Sequence, residues 1–465
     1  MADTSDRSPA WRLVALSLAM LLPSLGTSVA NVALPSLQTA FGVSFSEVQW
    51  VVLAYLLAVT TLIVGVGRLG DMVGRRRLLL GGIGLFAIAS AVAALAPAFW
   101  VLIVARAVQG VGAAIMMALT VASVGDVVPK DRAGSAMGLL GTVSAVGTAL
   151  GPSLGGALLS VASWHAVFAV LALAGAATFA VAIVLPAGPA VDRRPGPFDL
   201  PGMLLLVLAL GAYSLSTTVG GAQPGLANAA LGGLAVLSLA AFILVERRTT
   251  SPLVRIELLS EPGLSSGLIS LALVSAIMMA TLVVGPFYLS DALSLTPVTT
   301  GLVMSIGPGL AALTGVPAGR LVDRHGSARV MMIGLSGVAA GTMLMTVLPL
   351  WLGVVGYVLG LSTITAGYAL FQAANNTAVM VGAPGDRRGL TSALLGLSRN
   401  LGLVTGASAM GVVFVAGSTG VDWLGLAAGP RSGLKLTFAT AAILPHVALA
   451  VTFAGLPGRQ RRTQP

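Results

Sequence analysis

The chain has 465 residues, 56% of them hydrophobic and only 9% charged, with a mean hydropathy of +0.98. Soluble domains carry roughly a quarter charged residues, so this composition excludes one and predicts an all-α polytopic membrane protein. The net charge of +10 does not point to nucleic acid, because the 25 Lys and Arg gather almost entirely in loops on one side, and the absence of cysteine excludes disulfides, thiolate nucleophiles and Cys-type metal sites.

Fourteen apolar runs follow in chain order, at 12–34, 47–66, 78–96, 100–124, 133–160, 165–185, 200–218, 226–245, 264–289, 298–318, 330–348, 351–380, 390–416 and 436–456. Each is long enough to cross a hydrocarbon core of roughly 30 Å, and none shows the short alternating pattern of a membrane barrel. The polar segment 1–11 precedes a span without a small-residue cleavage pattern, so that span reads as retained and not as a signal peptide. With alternate loops assigned inside, Arg106 and Arg399 fall in spans and Arg431 and Lys435 outside. All other Lys and Arg fall inside, which predicts cytoplasmic termini.

The turn from Gly67 to Arg77 returns as Gly319 to Arg329 with the shared skeleton G-R-L-x-D-x-x-G-x-x-R. A duplicated turn between long spans predicts two related halves. Eight spans lie between the two copies where a plain six-plus-six duplication places six, so 200–218 and 226–245 read as an inserted pair. The expected organisation is a cytoplasmic N-terminus 1–11, a six-helix bundle 12–185, a linker 186–199, the inserted helices 200–245, a linker 246–263, a second six-helix bundle 264–456 and a basic tail 457–465. The alternative is twelve spans with two re-entrant or surface helices.

Polar residues within the spans are few enough to take singly. Thr27, Ser28 and Asn31 sit at helical spacing in the first span, where they either face a cavity or bond back to their own helix. Asp71 can pair with Arg75 one helical turn later. Arg106 is costly inside a span unless it faces the bundle interior, a water-filled cavity or a partner, which makes it a functional candidate, with Gln109 on the same face. Its structural alternative is hydrogen bonding to carbonyls of a neighbouring helix. Asp126, Lys130, Asp131 and Arg132 close the fourth span beside Asp71 and Arg75, either as a charge network or as ordinary surface ion pairs. Gly147, Gly151 and Gly155 form a small-residue stripe for close helix contact, Pro152 bends the helix between them, and Gly156 follows.

The second half offers Asp323 in the repeated turn, Gln372, Asn375 and Asn376 in the twelfth span, and Arg399 and Asn400 in the thirteenth. His165 and Asp291 lie near outer span ends, and His446 lies mid-span, where it reads as a packing residue. No acidic residue falls near mid-membrane, so substrate recognition is not expected to rest on a buried carboxylate. Three scattered histidines supply no enzyme site, and no Walker A loop is present to use ATP.

These strings resemble the major facilitator superfamily of secondary transporters. Its signature turn G-x-L-a-D-r-x-G-r-r is matched at Asp71, Gly74 and Arg75 to Arg77, with Met72 replacing a basic residue. Its R-x-x-Q-G-x-G-a-a string is matched from Arg106 to Ala114. The string from Gly147 to Gly156 is similar to the antiporter motif G-x-x-x-G-P-x-x-G-G, found mainly in exporters. Asn31 to Pro35 match the first-helix N-V-A-L-P of the fourteen-span drug:proton antiporter branch, with Gly26 where that pattern has Asp.

The resemblance implies a major-facilitator-type fold of two six-helix bundles plus two inserted helices, and small-molecule export by alternating access with proton antiport. It assigns Arg106, Asp71, Arg75, Asp126 and Asp323 to coupling and gating, with Asp71 near the helix that begins around Gly389. Thr27, Ser28, Asn31, Gln109, Gln372, Asn375 and Asn376 are candidates for the substrate cavity. In relatives the missing first-helix Asp is associated with proton coupling or cationic drugs. Its absence, with Arg106 as the only deep charge of the first bundle, predicts a neutral, zwitterionic or anionic substrate. The expected setting is a bacterial inner or plasma membrane. The expected partners are a small-molecule substrate, protons and the lipid bilayer, with a monomeric chain, no nucleic acid, no cofactor and no metal. The alternative is an uncoupled or proton-symporting carrier of a neutral or anionic metabolite with the same fold.

Overall fold

The computed structural model describes residues 8–127, 133–184, 199–219, 225–249, 252–254, 260–382, 388–420 and 427–455, and every element among them is helical. The first set comprises α1 (Ser8–Phe41), a short α2 (Phe45–Val48) leading into α3 (Trp50–Val73), α4 (Arg75–Ala94), α5 (Phe99–Val127), α6 (Ala133–Val161) and α7 (Trp164–Val184). A hairpin of α8 (Leu200–Thr218) and α9 (Leu226–Arg248) follows. The second set comprises α10 (Pro262–Phe287), which ends in a π turn (Tyr288–Ala292), then α11 (Pro297–His325), α12 (Ser327–Leu352), α13 (Val354–Gly382), α14 (Arg388–Ser418), α15 (Pro430–Ala441) and α16 (Ile443–Gly455).

Thirteen of the described helical stretches are long and apolar enough to cross a membrane, and Val146–Val161 within α6 is a shorter apolar one. Helices are forced here because hydrocarbon offers no partner to a free N–H or C=O. The first helix outruns its apolar run and continues through Pro35 to Phe41, since a proline removes one ladder bond without breaking a helix packed on its neighbours. The second span opens with a reciprocal cap, in which the Ser44 hydroxyl accepts from the Glu47 N–H and the Glu47 carboxylate accepts from the Ser44 N–H at 2.8 Å.

The two copies of the charged turn have one geometry. Gly74 and Gly326 end their helices with φ of 104° and 81°, and each donates its N–H back to the residue four before it, Gly70 and Val322. Only glycine takes this backbone without cost, which is why the repeat keeps it. The duplication extends to packing. In the first set α1 pairs with α6, α3 with α5, α4 with α5 and α4 with α7. In the second, α10 pairs with α14, α11 with α13, α12 with α13 and α12 with α15. The sets meet through α6 on α11 and, in the mirrored position, α14 on α3. The α8–α9 hairpin rests on α3 and α14, where the Trp50 indole donates to the Thr218 hydroxyl at 3.1 Å.

Candidate functional site

Arg106 of α5 is fully buried, and the elements around it answer most of its hydrogen-bonding capacity with main-chain oxygen. Its Nε donates to the Val51 carbonyl of α3 at 2.7 Å and its Nη1 to the Gly26 carbonyl of α1 at 3.2 Å. Nη1 also donates to Gln109 Oε1 one turn along the same helix, and Gln109 Nε2 donates to Ser90 Oγ of α4 at 2.6 Å. The guanidinium carbon lies 4.3 Å from the centre of the Tyr55 ring, a cation–π contact in an apolar surround. One arm, Nη2, is buried without a partner. Arg106 thus ties four helices together and keeps one donor unspent. Ser90 and Tyr55 are the members of this site that sequence reasoning missed, because a lone Ser or Tyr in an apolar run carries no signal.

Gly26 is close-packed: a Cβ there would lie 3.1 Å from Phe86 Cζ and 3.7 Å from the Tyr55 hydroxyl. The other polar residues of α1 bond chiefly within it. Thr27 Oγ1 donates to Pro23 O at 3.0 Å, Asn31 Nδ2 to Thr27 O at 3.0 Å, and Ser28 Oγ to Ser24 O at 3.0 Å and across to Gly147 O at 3.2 Å. Asn31 Oδ1 is buried and unpartnered.

The glycines of α6 seat it against two helices at once. A methyl at Gly147 would lie 2.7 Å from the Leu21 carbonyl, one at Gly151 would overlap the Ser28 hydroxyl, and one at Gly155 would lie 3.1 Å from the Val29 carbonyl, all on α1. Gly156 turns the other way, where a methyl would lie 2.5 Å from the Pro297 carbonyl of α11, and Pro152 presses its carbonyl on Gly301 of α11. The contact between the two halves therefore uses the same string that packs α6 onto its own half.

That contact lies at the end of the molecule opposite the charged turns, and so does its mirrored partner. The Gln49 amide, almost wholly buried, donates to the Ala407 carbonyl of α14 at 2.9 Å. The Phe45 ring lies 4.6 Å from that of Phe287 and 4.9 Å from that of Phe414. This end is closed. At the end of the charged turns, a cavity of 660 Å³ opens within the second set, lined among others by Asp323, Asn375, Thr391 and Thr452.

A duplicated helical bundle with a buried arginine and a closure at one end is a transporter geometry, and comparison with known proteins agrees. Residues 16–407 match the model of the Major Facilitator Superfamily. The chain belongs to that superfamily. Its relatives include the multidrug efflux pump LfrA of Mycolicibacterium smegmatis, 31% identical over 428 residues, covering 89% of this chain and 83% of the relative. The riboflavin transporter RibZ of Clostridioides difficile is 28% identical over 401 residues, covering 85% and 86%. Among solved structures, a D-xylose–proton symporter superimposes with a TM-score of 0.70 at 14% identity, covering 97% of this chain and 98% of that one, a likeness of fold.

As a member of the Major Facilitator Superfamily the chain is a multi-pass membrane transporter and not an enzyme. Its expected gating residues are placed unevenly. Arg75 donates to the Ala122 carbonyl of α5 at 3.0 Å, joining the start of α4 to the end of α5. The side chains of Asp71 and Asp126, and residues Lys130, Asp131 and Arg132 entirely, lie outside the described residues, as does the side chain of Gly389's neighbour Arg388. Asp323 is exposed at the cavity of the second set. Asn375, fully buried on α13, has neither amide atom partnered and points its Oδ1 at Gly267 of α10. It belongs with that cavity and is not gathered to Arg106. Gln372 and Asn376 flank it, half-buried. Three further titratable residues singled out in the sequence are peripheral: His165 stacks on Trp164 with ring centroids 3.7 Å apart, His446 is exposed with Nδ1 2.6 Å from the Ala442 carbonyl, and Asp291 accepts from Ser290 at 2.6 Å at an exposed turn.

Proposed function

We propose that this transporter is a fourteen-span exporter of small molecules working by alternating access with proton antiport. The observation that carries the reading is the seating of the Gly147–Gly156 string, which packs α6 on α1 through one face and closes the two halves on α11 through the other. A hinge and seal in one element suits a carrier that exposes a central site to either side in turn. The likeness to LfrA, a multidrug efflux pump, supports export. The basic loops put the end bearing the charged turns in the cytoplasm together with both termini, so the closed end faces outward. In this reading residues 12–185 and 264–456 are the two moving bundles and 200–245 is the inserted pair.

Arg106 is the deep charge of the first bundle, and Gly26 leaves no carboxylate beside it. The substrate is therefore neutral, zwitterionic or anionic. The name of RibZ, a riboflavin transporter, keeps a metabolite carrier as the second reading. Everted vesicles, given a panel of neutral, anionic and dicationic compounds, test the substrate class: uptake favouring the first two is expected, and strong preference for dications would sink it. Counterflow in proteoliposomes under an imposed pH gradient tests coupling. An antiporter accumulates substrate against outward proton flow, a symporter responds in the opposite sense, and an uncoupled carrier ignores the gradient.

A further inference from the structure

Two carboxyl groups are buried at the base of the α8–α9 hairpin. Asp199, 4% exposed, caps α8 by accepting the Gly202 N–H on Oδ1 at 2.9 Å, and Glu246, 3% exposed, accepts the Val254 N–H on Oε2 at 3.0 Å. The other oxygen of each, Asp199 Oδ2 and Glu246 Oε1, is buried with no partner. Both converge on one small volume at the Cα face of Gly202, where an added Cβ would lie 2.5 Å from Oδ2 and 2.7 Å from Oε1. Two ionised carboxylates cannot share such a volume without a neutralising partner, since each acceptor would face only its like.

The surrounding elements supply no such partner among the described residues. Arg247 and Arg248 at the end of α9 are exposed, and the segment 252–254 is apolar with Leu253 and Val254 buried. The elements packed along α8 are α3, with Arg68 and Asp71, and α14, with Arg399, and no hydrogen bond or ion pair from a described cation reaches either carboxyl. We propose that Asp199 and Glu246 form a proton-binding site, in which a single proton held between Oδ2 and Oε1 joins the two side chains. The proton converts one acceptor into a donor and satisfies both orphaned oxygens at once.

The position gives the site a consequence. Asp199 stands where the connection from the first set reaches α8, and Val254 stands where the chain leaves α9 for α10. The bonded sequence Gly202–Asp199–proton–Glu246–Val254 therefore clamps the incoming and outgoing connections of the hairpin together. Loss of the proton sets two charges face to face and loosens the clamp. The clamp is independent of the direction of transport.

The sign of the pH effect follows from linkage. Unfolded carboxyls have released their protons above about pH 4–5, whereas the folded pair keeps one, so folding takes up a proton and stability falls as pH rises, about tenfold in the unfolding constant per pH unit, until the pair itself deprotonates. Glu246→Gln replaces the shared proton by an amide N–H that donates to Asp199 while its carbonyl still accepts from Val254. Asp199→Asn does the same from the other side and remains a good helix cap. The experiment is the infrared spectrum of the purified, full-length protein in detergent with its thermal unfolding across pH 5–9, for the wild type and both variants. The expected result is a protonated-carboxyl C=O band at neutral pH that disappears in either variant, with a shallower dependence of unfolding on pH. Equal pH dependence in all three proteins, or no carboxylic band lost from the variants, would overturn the proposal. Stabilisation of the wild type by sodium in place of the carboxylic band would replace the proton by a bound cation and overturn it too.

Discussion

Arg106 donates to carbonyl oxygens on two other helices and to Gln109 on its own, and that arrangement decides what each substitution does. Arg106→Ala removes the donor that Val51 O and Gly26 O accept beside their own helical N–H groups and leaves Gln109 Oε1 unmet, at about 1–3 kcal/mol for that buried group. The expected outcome is a lower thermal unfolding temperature in detergent together with lost transport. Arg106→Lys keeps the charge but not the planar fork that reaches α3 and α1 at once. It is expected to fold and to lose most transport in everted vesicles, and wild-type transport by this variant would remove the fork from the mechanism. The arginine and Gln109 were legible in the sequence because a polar pair stands out in an apolar run. Their partners were not: two are main-chain atoms, which no sequence displays, and Ser90 and Tyr55 are ordinary residues in a span.

At the level of the helix, close approach is written in glycine, and the partner is not. The stripe on α6 could be read from spacing, whereas the matching stripe on α14 passed unnoticed: a methyl at Gly402 or Gly406 would run into the carbonyls of Ala272 and Ala276 on α10. Likewise Gly82 and Gly112 press α4 on α5, and Gly334 and Gly367 press α12 on α13 at the corresponding points of the second half. Gly156 faces across the halves, so Gly156→Leu is expected to wedge α6 away from α11 and depopulate the closed end. The chain has no cysteine, which allows spin labels on Ala162→Cys and Asp291→Cys without further change. Their separation should broaden to longer values in Gly156→Leu and stay put in Gly233→Leu, where no atom lies within 4 Å of an added Cβ. An unchanged distribution in both would dismiss the seal.

Over the whole molecule, closure at one end is shared between two mirrored contacts, α6 on α11 and α3 with α14, as a twofold relation between the halves requires. Gln49 is the polar anchor of the second contact, and its loss removes the hydrogen bond that its amide donates to the Ala407 carbonyl across the halves. In Gln49→Ala the alkylation of an introduced Ala407→Cys from the outer side is expected to quicken severalfold. Equal rates with and without the Gln49 amide would show that the aromatic cluster of Phe45, Phe287 and Phe414 holds this end by itself.

Hydropathy and the repeated turn are properties of the chain in one dimension, so the all-helical membrane class and the duplicated turn were readable from residue order. The positive φ at Gly74 and Gly326 came only from the structure. Tertiary structure alone decided which helix faces meet, because every face of a membrane helix is apolar and periodicity no longer marks the buried side. It alone brought Ser90 to Gln109 and Asp199 to Glu246, groups whose sequence neighbours are unremarkable. It alone showed which end is closed, since both states of an alternating carrier are built from one sequence and differ only in which of two near-equivalent interfaces is formed.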